Sequence, residues 1–161
     1  MQRLPFFVTY RARCDGRRRR YRYVKELRIP EGELSEWGPR LNRESRPRRK
    51  GPTWDVTVLL EAGFYTVSSL LEFTDGVRVV VHGVEIHAEH WWALAPPDFD
   101  EGTILLFKDG GHIAVRRHSR LRLDNLVVCH GIGVPPQRPV GAWLRACEAA
   151  RTLEVREEAS T

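Results

Sequence analysis

V-T-V-L-L-E-A-G-F-Y-T-V-S-S-L-L-E-F-T-D-G-V-R-V-V-V-H-G-V-E-I, residues 56–86, is the stretch that decides the fold. Val56, Val58 and Leu60 alternate with other positions, the pattern breaks at Gly63, and it resumes at Tyr65 and Val67. A short L-L-E-F run follows, then an Asp75–Gly76 turn signal. Val77, Val79 and Val81 alternate next, the phase slips near Gly83, and Val84 and Ile86 continue. Period-two runs of this length, bounded by Gly and Asp-Gly, are short strands with one buried face. A phase slip at glycine marks a bend or bulge. No helical pattern lies between the runs, which excludes a βαβ fold.

Part of this stretch is said again. L-L-E-F-T-D-G-V-R-V-V-V at 70–81 returns as I-L-L-F-K-D-G-G-H-I-A-V at 104–115, so Phe73, Asp75 and Gly76 recur as Phe107, Asp109 and Gly110. V-V-V-H-G-V at 79–84 returns, at a longer spacing, as V-V-C-H-G-I at 127–132. Such repeats mean stacked units, because one unit cannot bury its apolar face alone. Stacking like on like predicts Phe73 above Phe107 as an interior ladder, with Asp75–Gly76 beside Asp109–Gly110 at a shared corner. Neighbours would lie about 4.8 Å apart, the strand spacing. His82 would stack on His130 as its equivalent.

Residues 56–86 resemble the opening coils of right-handed parallel β-helix proteins, the pectin-lyase-like superfamily. There an apolar strand leads to a Pro/Ala-Gly-x-Tyr turn, a short strand and a v-x-v-x-G phrase. L-R-L-D-N-L-V-V-C-H-G at 121–131 resembles a later coil. The resemblance covers about 54–134 and implies a mostly β fold, a short right-handed parallel β-helix. Family members run to many more coils, whereas this chain has room for about three, near the minimum for a stable stack. The family often binds or cleaves polysaccharides with acidic residues grouped on one outer face. Asp75 and Asp109, with Asp124 or Lys108 nearby, are the corresponding candidates. Glycoside hydrolysis needs two carboxyls at roughly 5–9.5 Å. Yet Asp-Gly is also what a tight turn asks for, and no lyase motif matches residue by residue, so no catalytic residue is assigned.

Around this core the chain divides into a basic N-terminal hairpin and linker (1–53), the repeat domain (54–135) and a C-terminal helix and tail (136–161). F-F-V-T-Y-R-A-R and R-R-R-R-Y-R-Y-V flank Cys14-Asp15-Gly16, a hairpin signal. Residues 25–53 read as irregular, punctuated by proline and glycine, with 88–102 as an insertion loop in the repeat domain. Trp143, Leu144, Cys147, Ala150 and Leu153 fall at helical spacing, and that helix is expected to cap the open end of the strand stack.

Charge supplies the pointer to a partner. The first 50 residues hold 16 Lys and Arg against 6 Asp and Glu, and the remaining 111 hold 10 against 15. Arg17, Arg18, Arg19 and Arg20, followed by Tyr21, Arg22 and Tyr23, interleave cations with aromatics, which suits phosphates and stacked bases of single-stranded RNA or DNA. Arg46, Arg48, Arg49 and Lys50 form a second cluster that also reads as a nuclear-import signal in a eukaryotic or viral source. His90, Trp91, Trp92 and Phe99 make an aromatic loop for a partner or ligand, or else a set of rings folded onto the coil edge.

Other chemistry is weakly marked. His82, His87, His90, His112, His118 and His130 show no metal-ligand spacing, and Cys14, Cys129 and Cys147 form no C-x-x-C pair, so no metal or cofactor is assigned. A hydrophobic fraction of 42% with five Trp supports a packed core. No apolar run reaches the roughly 18 residues of a membrane span, and the start lacks a signal-peptide pattern. The expectation is an intracellular protein, cytoplasmic, or nuclear if eukaryotic or viral, with no membrane partner. The leading function is a non-catalytic binding or scaffold module whose basic arm contacts nucleic acid or another acidic partner. The alternatives are a carbohydrate-binding or carbohydrate-active β-helix protein, and a structural protein that homo-oligomerises through exposed coil ends.

Overall fold

Alternation of buried and exposed side chains along each short strand organises the molecule. The computed structural model describes residues 8–14, 21–45, 54–86, 99–130 and 133–160. In chain order these form β1 (Val8–Cys14), β2 (Tyr21–Ile29), β3 (Gly32–Glu33), a 3-10 turn (Ser35–Trp37) and α1 (Gly38–Ser45). Next come β4 (Trp54–Leu60), β5 (Gly63–Val67), β6 (Leu70–Phe73), β7 (Arg78–His82), β8 (Thr103–Phe107) and β9 (His112–Val115). β10 (Arg120–Asp124), β11 (Val127–His130) and α2 (Val140–Ser160) complete the chain.

The strands form three sheets. The five-stranded sheet runs β1-β2-β4-β7-β10, the four-stranded sheet β11-β8-β5-β3, and the two-stranded sheet β6-β9. Every pairing is parallel except β1 with β2. From β4 onward the chain visits the sheets in a fixed cycle: β4, β5, β6, then β7, β8, β9, then β10 and β11. One buried cluster draws on all three sheets, with Val56, Val58, Val79 and Val81 from the first, Tyr65, Val67 and Leu105 from the second, and Leu71 and Phe73 from the third. The protein is therefore mostly β, with parallel sheets around a shared core and one long C-terminal helix.

Residues 25–45, which read as irregular, belong to the same core. β2 pairs with β4 and β3 with β5, and Leu27, Ile29, Leu34 and Leu41 are buried in the shared cluster. Where a further strand would extend the two-stranded sheet, α1 lies against β6 instead.

The repeat exists, but not where the repeated words place it. Phe73 pairs with Val115, while Phe107 pairs with Val67 and His130. Phe73 and Phe107 lie in different sheets, as do His82 and His130. The true equivalence matches 70–82 with 112–124, and it holds through two successive strands. A plain return to the same sheet is short, carrying the chain from Asp55 to Arg78 or from Ile104 to Val127. The step from Gly63 to Thr103 is much longer, and the excess falls within 83–102. The literal phrase marks two strands that each end in an Asp-Gly turn at different corners. Turn chemistry alone produces that likeness.

α2 does not cap the open end. Val140, Trp143, Leu144 and Cys147 pack with Ile86 and Ile104 into a second cluster, joined by Phe64, Leu106, Val127 and Cys129. Those last residues alternate with the inward Tyr65 and Leu105, so α2 covers the outer face of the four-stranded sheet. Trp143 meets Phe64 edge-on, with ring centroids 5.1 Å apart. Covering that face explains why consecutive Ile104 and Leu105 are both fully buried.

Candidate functional site

The five-stranded sheet has one face on the core and one outward, and register fixes what lies on each. Val56 and Val58 are buried while Asp55, Thr57 and Leu59 are half-exposed, so the row containing Asp55 is an outward row. In backbone register the same row runs Arg11, Val24, Asp55, Arg78, Arg120 across the five strands, and its described outward side chains are Asp55, Arg78 and Arg120. The next outward row ends Thr57, Val80, Arg122, and the one after holds Arg28, Leu59, His82 and Asp124. Four strand spacings make a row about 19 Å long. Arg78 on β7 and Arg120 and Arg122 on β10, with Ser119 just before β10, border an open groove of about 730 Å³ that also takes in Asp55 and, at the open end, Val115 and Leu121.

The corner beside this face adds Arg116 and Arg117. Arg116 lies 3.7 Å from Glu72 and Arg117 3.3 Å from Asp75, both solvent-exposed pairs of little energetic weight. Arg122 Nε donates to Asp124 Oδ1 at 2.9 Å, and Arg28 stands 3.9 Å from Glu61. Arg78 and Arg120 form no ion pair with a carboxylate among the described residues. The positive charge not paired to a described carboxylate thus lies at Arg78 and Arg120, side by side on β7 and β10, in an open, solvated setting suited to an anion.

The sequence-derived candidates fall around this face unevenly. Tyr21, Arg22 and Tyr23 open β2, opposite Cys14, Arg13 and Ala12. Arg17, Arg18, Arg19 and Arg20 lie outside the described residues, as do Arg46, Arg48, Arg49 and Lys50, and His90, Trp91 and Trp92. Phe99 is half-buried and packs against the second cluster, with Gly141 of α2 tight against its ring. Sequence reasoning passed over Arg78, Arg120 and Arg122. The R-L-R-L-D run at 120–124 carried the signal, since arginine alternating with leucine is a strand with one charged face.

The carboxylate pair is not assembled. Asp75 sits at the corner between β6 and β7, equivalent to Arg117, with Gly76 N–H donating to the Arg117 carbonyl at 2.9 Å. Asp109 sits at the corner between β8 and β9, where Gly111 N–H donates to the Lys108 carbonyl at 2.8 Å. A Cβ on Gly111 would stand 1.8 Å from the Val67 carbonyl oxygen, so that corner requires glycine. The histidines are dispersed. His82 approaches Asn125 at 3.3 Å and His112 the Gly110 carbonyl at 3.1 Å. Among the described residues no group of three or more His, Cys, Asp or Glu could hold a metal ion, and no helix is long and apolar enough to cross a membrane.

Shifted ionisations mark structure rather than an open cleft. Burial works to raise the Glu33 pKa, but hydrogen bonds from Ser35, Thr66 and Ser68 hold it down at about 2. Burial, reinforced by Glu61 and Glu31, pushes the Tyr65 phenol up to about 12. Burial also raises the Cys129 thiol to about 11, with Cys147 adding to the shift, and raises Cys147 itself. Thiols held protonated are poor nucleophiles. No protein-family model matches the chain, and neither a curated protein nor a solved structure matches it significantly.

Proposed function

We propose that this protein is a non-catalytic binding module whose sheets close into a short right-handed parallel β-helix, with a basic outer face that binds the phosphates of single-stranded nucleic acid. The cyclic strand order supports the coil, and parallel crossovers within one sheet are right-handed in about 98% of cases. The observation that carries the binding reading is Arg78 and Arg120 side by side on β7 and β10, with Arg122 in the next outward row. The segment between β1 and β2 carries Arg17, Arg18, Arg19 and Arg20 in sequence, which adds to the basic charge available to the same partner. Arginine suits this work because its planar fork grips phosphate oxygens and stays charged at every physiological pH.

The test is titration of the full chain with a fluorescent single-stranded RNA at several salt concentrations. Each phosphate neutralised contributes about −0.7 to the slope of log K against log salt. Arg78→Glu with Arg120→Glu should weaken binding and flatten that slope, while Arg138→Glu, beside α2, should change neither by more than a charge-matched background. Affinity indifferent to salt, or lost equally in both variants, overturns the reading.

A further inference from the structure

We infer that the β9–β10–β11 end of the stack is an interface for a second copy of this chain, joined head to head with β10 antiparallel to the partner's β10. The interior positions of the last strands are left open. Leu121 and Leu123 continue the rows of Val79 and Val81, Val128 continues Leu105, and Val115 continues Phe73. Val79, Val81, Leu105 and Phe73 are buried, yet Leu123 is 37%, Val115 45% and Val128 52% exposed. No described segment pairs with the outer edges of β9, β10 and β11. Such edges are templates for another strand.

The sequence of β10 says which strand. R-L-R-L-D laid antiparallel on itself about Arg122 sets Arg120 opposite the partner's Asp124 and Leu121 opposite the partner's Leu123, each pair occurring twice by symmetry. Opposite charges directly across an antiparallel pair stabilise it, and leucines in register extend the core. The one like pair is Arg122 with its own copy on the axis, where each guanidinium already holds Asp124 of its own chain at 2.9 Å. Head-to-tail stacking is blocked over the four- and two-stranded sheets, because α1 and the side chains around Glu33 and Asn42 occupy the opposite end there.

The flanking strands fit the same axis. In a coil that climbs along the chain, β11 projects beyond β10 and β9 is set back by the same step. A two-fold axis through β10 brings each projecting β11 over the partner's recessed β9. This second fit rests on the coil architecture proposed above, whereas the β10 pairing rests on register alone. The dimer would also join the two outward arginine faces into one continuous sheet.

Sedimentation of the full chain across a concentration series tests the interface without any nucleic acid, so its outcome is separate from that of RNA binding. The expected result is a reversible shift from one chain to two. Arg120→Asp opposes like charges at both symmetric positions and should weaken association by about tenfold, while Arg120→Asp combined with Asp124→Arg should restore it. Leu123→Lys, at a position already exposed in the single chain, should give a folded monomer by circular dichroism. A chain monomeric at every concentration overturns the inference, whether charges merely blunt the edge or another segment of the same chain covers it. So does a dimer that is indifferent to Arg120→Asp, or one that the paired exchange fails to restore.

Discussion

Leu41 and Val128 both belong to the interior of the strand stack, at opposite ends. Leu41 on α1 is 1% exposed, and Val128 on β11 is 52% exposed. At the first end α1 lies across the interior with Leu41 buried and Lys25 paired to Glu44. The backbone edges of β5 and β6 there are also satisfied, by side chains standing in for strands. Asn42 Oδ1 accepts from Thr74 N–H at 3.0 Å while its amide nitrogen donates to the Glu72 carbonyl, so one side chain pairs with β6. Glu33 accepts from Ser68 N–H at 2.9 Å and Glu31 from Phe64 N–H at 2.8 Å. Sealing a sheet end takes both apolar cover and hydrogen-bond partners. One end has both, and the other has neither among the described residues.

The sharpest way to break that comparison is to truncate an interior leucine at each end. Leu41→Ala should cost about 2–5 kcal/mol of unfolding free energy, since the removed atoms leave a cavity in a closed core. Leu123→Ala should cost under about 1 kcal/mol at dilutions where the chain is single, because its side chain already meets water. Urea midpoints of the two variants, read at low concentration, decide between them. Equal costs would mean that both ends are sealed.

Asn42→Ala comes next, with an expected loss of about 1–3 kcal/mol, because it leaves backbone groups of β6 without partners at a half-buried edge. The matching change at the other end, Asn125→Gly, is compatible with that residue's φ of 54°, removes an exposed contact with His82, and should shift the urea midpoint far less.

Glu33 makes the sealed end sensitive to acid. Its folded pKa of about 2 lies below the ordinary 4.5, so the folded state favours the carboxylate. The stabilisation is complete above about pH 4.5 and declines as pH falls toward 2, where the unfolded chain takes up a proton first. Acid titration of stability should therefore steepen between pH 4.5 and 2, and Glu33→Gln should flatten that segment while lowering stability at neutral pH. An unchanged acid limb in Glu33→Gln would remove the carboxylate from the seal.

Much of this contrast was legible in the chain. Alternation at Val56, Val58 and Leu60, and again at Val77, Val79 and Val81, marked strands and inward faces, because burial of one face imposes period two. The assignment of strands to sheets was not legible. Register depends on how much chain each corner and insertion consumes, and the segment at 83–102 shifts the count without altering the strand words around it. α1 was missed because G-P-R-L-N-R-E-S offers one apolar anchor, Leu41, and is held by tertiary contacts rather than by propensity. The arginine face was hidden for a related reason. Arg78 and Arg120 become neighbours only through a pairing far apart in sequence, whereas Arg17 to Arg20 announce themselves by adjacency.

The smallest expected effect concerns the turn that precedes β10 at the open end. Asp75 and Gly76 turn the chain between β6 and β7 with φ of 63° and 76°, and Arg117 and His118 make the equivalent turn between β9 and β10 with φ of 53° and 62°. The turn before β10 therefore carries a histidine in the left-handed region where the turn before β7 carries glycine. A side chain there costs roughly 1–2 kcal/mol, partly offset by the greater freedom that glycine has in the unfolded chain. His118→Gly should then stabilise the fold by about 0.5 kcal/mol, read as a small rise in the urea midpoint. Arg117 should stay unaltered in that variant, since it faces Asp75 across the two coils at 3.3 Å. A stabilisation seen only at concentrations where chains associate would move the effect from the turn to the interface that β10 presents.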